Sequence, residues 1–250
     1  MRYNAAMLNS RFSSRLRVTP IGSATRDIFI RSRAFESHPN HKAPDGVEAC
    51  FPLGAKIGLE SCIMETGGGA TNAAVTFARF GFKTSCLARL GNDNDGYEIA
   101  DILRREKIDV GHLQLDREER TGVSIILLDD TGHRTILVYR GAANNLDFRH
   151  IPWNTLKPDW IYLTSLGGNF ELLEKIFNVA KKRHIHIAWN PGNTELAQGM
   201  HKLRSQLMAT DFLLLNREEA AELAEAAPRH LDAIIKRLTL FPRQALVITD

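Results

Sequence analysis

Three groups of residues in this chain have the types and spacing to do chemistry. The run Gly67-Gly68-Gly69-Ala70-Thr71-Asn72 sets three consecutive glycines before an amide side chain. Adjacent glycines cost backbone entropy and add nothing to a packed core, so they point to a backbone that something approaches closely. Their amides can meet a hydroxyl oxygen with no Cβ in the way, and Asn72 offers both a donor and an acceptor. Asp27, in Gly22-Ser23-Ala24-Thr25-Arg26-Asp27, forms the second group. A carboxylate accepts two hydrogen bonds at once, which suits the neighbouring hydroxyls of a sugar. Asn216 and Glu219 form the third, an amide and a carboxylate that open a helix directly after the strand-like run 212–215. Their spacing is that of a capping box, with Asn216 at the N-cap and Glu219 three residues on.

The elements around these residues must place them. After the glycines, residues 73–80 read as a helix with a small apolar face, and Gly81 is its C-cap. A strand over 84–90 follows, closed by Gly91-Asn92-Asp93-Asn94-Asp95-Gly96. Asp27 lies just beyond a first strand at 18–22, at the carboxyl end where open α/β sheets bind ligands. From Arg17 onward short apolar strands alternate with helical patterns, which predicts a doubly wound, mostly parallel sheet flanked by helices. Strands are expected at 159–163, 184–189, 211–215 and 245–249, and helices at 169–182, 195–207, 216–226 and 231–240. Two segments depart from the alternation: strand-like pieces over 48–64, and a hairpin over 121–139 turning at Asp129-Asp130-Thr131-Gly132.

Rival readings of the same residues fail on spacing. The glycine run begins like a dinucleotide fingerprint, but Asn72 stands where the third glycine belongs, and no P-loop occurs anywhere. The Asn92–Gly96 stretch invites calcium, yet the twelfth position would be Ile102 rather than Glu. Asp93 and Asn94 are better placed to cap the helix that runs to Arg105. His38, His41 and Cys50 lack a fourth zinc ligand, and His184 and His186 alternate along a strand. Tyr139-Arg140 reads as an edge aromatic beside a solvated arginine.

Gly67, Gly68, Ala70, Asn72, Ala74, Gly81 and Gly91 together, extended by Asp93 and Gly96, resemble the ribokinase-like carbohydrate kinase family of the phosphofructokinase B type. The resemblance implies ATP-dependent phosphorylation of a sugar hydroxyl, with magnesium. It implies that Asp27, Gly67, Gly68 and Asn72 bind the sugar. Asn190, Asn216 and Glu219 would lie at the phosphates, with Glu219 ordering magnesium through water. It also implies a small β lid, built from the strands near 48–64 and 121–139, that covers the sugar and pairs two subunits. Relatives carry their catalytic base, an Asp in a Gly-Ala-Gly-Asp helix start, near the C-terminus. That motif does not occur in this sequence, so the base is expected beyond Asp250 and the chain is read as a C-terminally truncated member with little turnover. Two alternatives stand beside this reading. One is a nucleoside kinase of the same family, with Phe29, Phe35 or Phe51 as a base platform; the other is a non-catalytic sugar-binding remnant.

Composition sets the remaining bounds. At 250 residues, 44% hydrophobic and 24% charged, the chain suits one α/β domain over 17–250. A net charge of +3 without a basic stripe gives no reason to expect nucleic acid, and no apolar run is long enough to span a membrane. Cys50, Cys62 and Cys86 are odd in number and lack C-x-x-C spacing, which fits a reducing, cytoplasmic setting. Residues 1–16 hold Arg2, Arg11 and Arg15 with several serines and no acid. That composition suits a disordered tail, a processed transit peptide, or a start at Met7.

Overall fold

The computed structural model describes residues 16–249 except 36, 44, 45, 130 and 131. Residues 1–15 of the arginine- and serine-rich tail therefore lie outside the described residues, as does the centre of the hairpin turn. The chain begins with β1 (Arg17–Ile21), β2 (Thr25–Arg31), β3 (Ser37–Pro39), β4 (Val47–Ala49) and β5 (Ser61–Gly67). Next come α1 (Gly69–Arg79), β6 (Lys83–Thr84), β7 (Arg89–Gly91), α2 (Asn94–Arg105) and β8 (Gln114–Asp116). The hairpin strands are β9 (Gly122–Leu128) and β10 (Arg134–Tyr139). Strands and helices then alternate: β11 (Trp160–Leu163), α3 (Phe170–Arg183), β12 (His186–Trp189), α4 (Asn193–Leu196) and α5 (Gly199–Ala209). The series ends with β13 (Phe212–Asn216), α6 (Arg217–Leu223), α7 (Leu231–Leu238) and β14 (Ala245–Thr249).

Six strands form one parallel sheet in the order β14-β13-β12-β11-β1-β6. The chain runs outward from β1 to β6, then crosses to β11 on the other side of β1 and proceeds to β14. The order thus reverses between β1 and β11, and a reversal of this kind opens a crevice at the carboxyl ends of the two strands. A large apolar cluster packs Ile161, Leu163, Ile187, Trp189 and Leu213 of the sheet against Leu173 and Ile176 of α3, Leu207 of α5 and Ile234 of α7. A smaller one joins Ala70 and Ala74 of α1 to Ile99 and Leu103 of α2 and to Cys86, Ala88 and Leu90.

A second sheet of four strands, ordered β10-β9-β2-β5, stands apart from the first. The expected hairpin is β9 against β10, antiparallel with Tyr139 opposite Val123. Four expectations need correction. The strand bearing Asp27 is β2 of this second sheet, because Thr25–Arg31 pairs in full register with β5 and with β9. Within 48–64, only the part from Ser61 joins the second sheet, while β4 pairs with β3 alone. The strand over 84–90 is interrupted: between β6 and β7 it keeps single bridges, Leu87 to Ile21 and Ser85 to Asp109. The helix expected over 195–207 is two helices, α4 and α5, the second opening on Gly199 at φ +75.

Candidate active site

At the β1/β11 crevice each of the three consecutive glycines is required for a different reason. Gly67 ends β5 opposite Thr25, and its backbone is ordinary. A Cβ there would lie 2.0 Å from both Cγ and Oδ2 of Asp27, so the Asp27 carboxylate fills the space a side chain would need. Gly68 has φ +101, a conformation that L side chains rarely adopt, and a Cβ would come within 2.5 Å of the Ser23 carbonyl oxygen. Gly69 faces Thr164, whose Oγ1 would lie 2.6 Å from a Cβ. The Gly69 amide donates to the Ser23 hydroxyl (3.0 Å), and the Ala70 amide to the Ser23 carbonyl (3.0 Å). The first turn of α1 is thereby tied to the β1–β2 connection that leads into Asp27.

Asp27 accepts a hydrogen bond from the Thr25 hydroxyl at 2.9 Å, which orients one oxygen and leaves the other without a partner among the described residues. Its side chain is only half-buried, and Asn72 is exposed one turn into α1. The Asn72 amide nitrogen of the backbone donates to the Gly68 carbonyl (3.0 Å), while its side chain has no protein partner among the described residues. The structure therefore brings Asp27, Gly67 and Gly68 into one spot, with Asn72 on the adjoining helix turn.

The other candidates sit on the same carboxyl edge of the parallel sheet. Asn190 follows β12; its side-chain nitrogen donates to the Leu214 carbonyl (3.0 Å), clamping β12 to β13. Asn216 and Glu219 form the capping box in full: the Glu219 amide donates to Asn216 Oδ1 (2.7 Å), and the Asn216 amide to Glu219 Oε2 (2.8 Å). Glu219 keeps one oxygen with no partner among the described residues, and no group of three or more potential ligands gathers there or elsewhere among them. One carboxylate oxygen suits a magnesium ion that retains most of its waters, and does not suit an all-protein cage.

Asp93 caps α2 as expected, accepting from the Gly96 amide (2.9 Å), the Thr121 amide (2.9 Å) and the Thr121 hydroxyl (2.7 Å). Burial pushes its carboxyl up, but these donors and the Arg120 charge outweigh burial and hold it below its ordinary value. Gly91 and Gly96 leave room for this turn: a Cβ would lie 2.3 Å from the Thr121 amide nitrogen at one and 2.3 Å from the Gly91 carbonyl at the other.

Two residues of this edge escape a reading of the sequence alone. Thr164, directly after β11, fills the space over both Gly22 and Gly69 and so wedges β11 against the glycine turn. Glu195 is 1% exposed, and its carboxylate accepts from four groups: the Ser165 hydroxyl (2.9 Å) and the amides of Leu166 (3.0 Å), Gly168 (3.1 Å) and Gly192 (3.0 Å). It ties the loop after β11 to the loop after β12. Its signal in the sequence was the Gly192-x-x-Glu195 spacing of a helix start, which says nothing of the three donors from the other loop.

Residues 55–250 match the pfkB family carbohydrate kinase, and the chain belongs to that family. It is 25% identical over 248 residues to a ribokinase of Schizosaccharomyces pombe, a match covering 94% of this chain and 72% of that one. It is 36% identical over 170 residues to a fructokinase of Klebsiella pneumoniae, covering 62% of this chain and 54% of the fructokinase. The fold is that of the ribokinase from Cryptococcus neoformans var. grubii serotype A, in complex with ADP, at TM-score 0.68 and 18% identity, over 94% of this chain and 73% of the other. The chain thus spans about half the length of the fructokinase and nearly three quarters of the ribokinases.

Proposed function

We propose that this chain forms the substrate half and the start of the nucleotide half of an ATP-dependent sugar kinase. The observation that carries the reading is the seat of Asp27: a carboxylate laid over Gly67, where the strand order reverses, with Asn72 open on the next helix turn. Asp27 and Asn72 would bind adjacent sugar hydroxyls, and the bare backbone of Gly67 and Gly68 would let the ring approach. Ribokinases and fructokinases among the relatives support a sugar, and the ADP held by the Cryptococcus ribokinase supports an adenine nucleotide.

Phosphoryl transfer depends on positioning and on charge stabilisation. Asn190, Asn216 and Glu219, on the carboxyl edge beyond β11, would orient the phosphates. Glu219 would hold magnesium through water, and that ion, when bound, neutralises phosphate charge. The exposed apolar residues Ile136, Leu137 and Val138 of β10 and Ile63 and Met64 of β5 support a homodimer joined through the second sheet, the lid of this reading. A cytoplasmic location belongs to the same proposal; among the described residues no helix is long and apolar enough to cross a membrane.

The nucleoside alternative draws on Phe35 and Phe51, whose rings meet edge to face with centroids 5.3 Å apart, Phe51 remaining exposed. Competition of adenosine against ribose and fructose separates the two substrates. Titration with ATP tests the nucleotide half. Magnesium-dependent binding that weakens in Glu219→Gln is expected, whereas sugar binding with no ATP binding would return the chain to a non-catalytic sugar-binding role.

A further inference from the structure

Arg26 is the immediate neighbour of Asp27 on β2, and alternation along a strand sends the two side chains to opposite faces. Asp27 is half-buried at the proposed sugar site, while Arg26 is among the largest fully buried side chains of the protein, at 2% exposure. Its guanidinium leaves the second sheet and docks on the first turns of α2. Nε donates to Asp95 Oδ1 at 3.0 Å, and Nη2 to Glu98 Oε2 at 2.6 Å. A guanidinium removed from water needs such partners, and a two-pronged fork held on two carboxylates fixes orientation as well as charge.

A second polar tie holds the end of β5 to α1, where the Thr71 hydroxyl donates to the Gly67 carbonyl. Among the described residues, neither buried apolar cluster includes a residue of β2, β5, β9 or β10. The other strand entering from the body, β9, is tied at its start to the same helix turn, through Thr121 on Asp93. Two parallel, adjacent lid strands are therefore fastened by polar contacts to one place, the N-terminal end of α2.

We propose that Arg26 is a positioning residue for Asp27: by docking on Asp95 and Glu98 it fixes the base of the lid and sets where the neighbouring carboxylate stands over Gly67. The proposal rests on the reading of Asp27 as a sugar ligand, and it names the residues outside the site that determine its geometry. Arg26→Met keeps an apolar stem of similar length and removes the fork. Arg26→Lys keeps the charge but not the two-pronged geometry.

The test combines calorimetric titration of the whole chain with ribose and fructose and hydrogen exchange followed by mass spectrometry. In Arg26→Met, sugar affinity falls at least tenfold and amides of residues 25–31 exchange at least tenfold faster, while α3 and β11 exchange as in the unsubstituted chain. Arg26→Lys falls between the two. Adding Asp95→Asn and Glu98→Gln to Arg26→Met changes neither quantity further. Faster exchange with unchanged sugar affinity, weaker affinity with unchanged exchange at 25–31, or acceleration over the whole protein would each overturn the proposal. Should the unsubstituted chain bind neither sugar, the sugar reading fails by itself. Exchange at 25–31 in Arg26→Met then decides the mooring, faster exchange supporting it and unchanged exchange overturning it.

Discussion

Substituting alanine for Gly67 is expected to expel the Asp27 carboxylate from its seat. The added Cβ would lie 2.0 Å from Cγ, 2.0 Å from Oδ2 and 2.2 Å from Oδ1, whereas unbonded heavy atoms settle near ~3.5 Å. The carboxylate must therefore move by about 1.5 Å, giving up the hydroxyl of Thr25 and, with it, the orientation proposed for sugar binding. The backbone of Gly67 is open to any residue, so the whole effect passes through Asp27. Hydrogen bonds to a charged group contribute about 1.5–3 kcal/mol each, so loss of even one weakens sugar binding by about tenfold to a hundredfold. Because the displaced atoms are the free end of a half-buried side chain, crowding adds only about 1 kcal/mol of stability cost, or about 3 °C in Tm for a chain of this size. The assay is a double-mutant cycle of Gly67→Ala and Asp27→Ala, read by Tm and by sugar titration. Once Asp27 is cut to alanine the clash is gone, so the double variant recovers the Tm lost by Gly67→Ala and binds sugar no worse than Asp27→Ala alone. Additive losses in both readouts would refute the steric argument.

Asp93 supplies a pH signature. Its folded pKa is depressed, so its contribution is complete above the unfolded value of about 3.9 and is lost as pH falls through the folded value. Asp93→Asn therefore lowers the urea midpoint at neutral pH, and the gap from the unsubstituted protein narrows below about pH 4; a gap of constant size would count against this network. Cys86 is fully buried and its thiol is pushed up to about 12, whereas Cys50 and Cys62 are exposed. A thiol reagent at about pH 8 should titrate two cysteines in the native protein and the third only in denaturant, and three native equivalents would contradict the packing. Glu195→Gln puts an amide NH2 against donors that now converge on a carboxylate, at a cost of about 2–4 kcal/mol seen as a lower Tm; an unchanged Tm would show that Glu195 does not hold the two loops together.

Much of the parallel sheet is legible locally because each strand is a short apolar run between turn residues. The last strand, Ala245–Thr249, has the bounds its composition suggests, and Asp93 and Asn216 cap their helices where side-chain chemistry puts them. The residues proposed for the sugar site are legible as a set, and the structure brings Asp27, Gly67 and Gly68 together with Asn72 on the next helix turn. What local pattern does not reveal is partnership across the fold. Nothing in Thr25–Arg31 says that it pairs with the distant segments Ser61–Gly67 and Gly122–Leu128. The burial of Arg26 depends on acids that belong to a later helix, and the four donors on Glu195 come from two loops brought together only by the order β11-β12. Gly67 shows the limit most directly: the sequence displays a glycine, and only the packing shows that Asp27 takes the place of its side chain.

The central claim is that Asp27 and the Gly67–Asn72 turn make a sugar site within this chain. Calorimetric titration of the 250-residue protein with ribose and with fructose, beside Asp27→Ala, tests it most directly. Saturable binding of at least one sugar, weakened about tenfold or more by the substitution, is the predicted result. Binding of neither sugar, or binding that Asp27→Ala leaves unchanged, would contradict it.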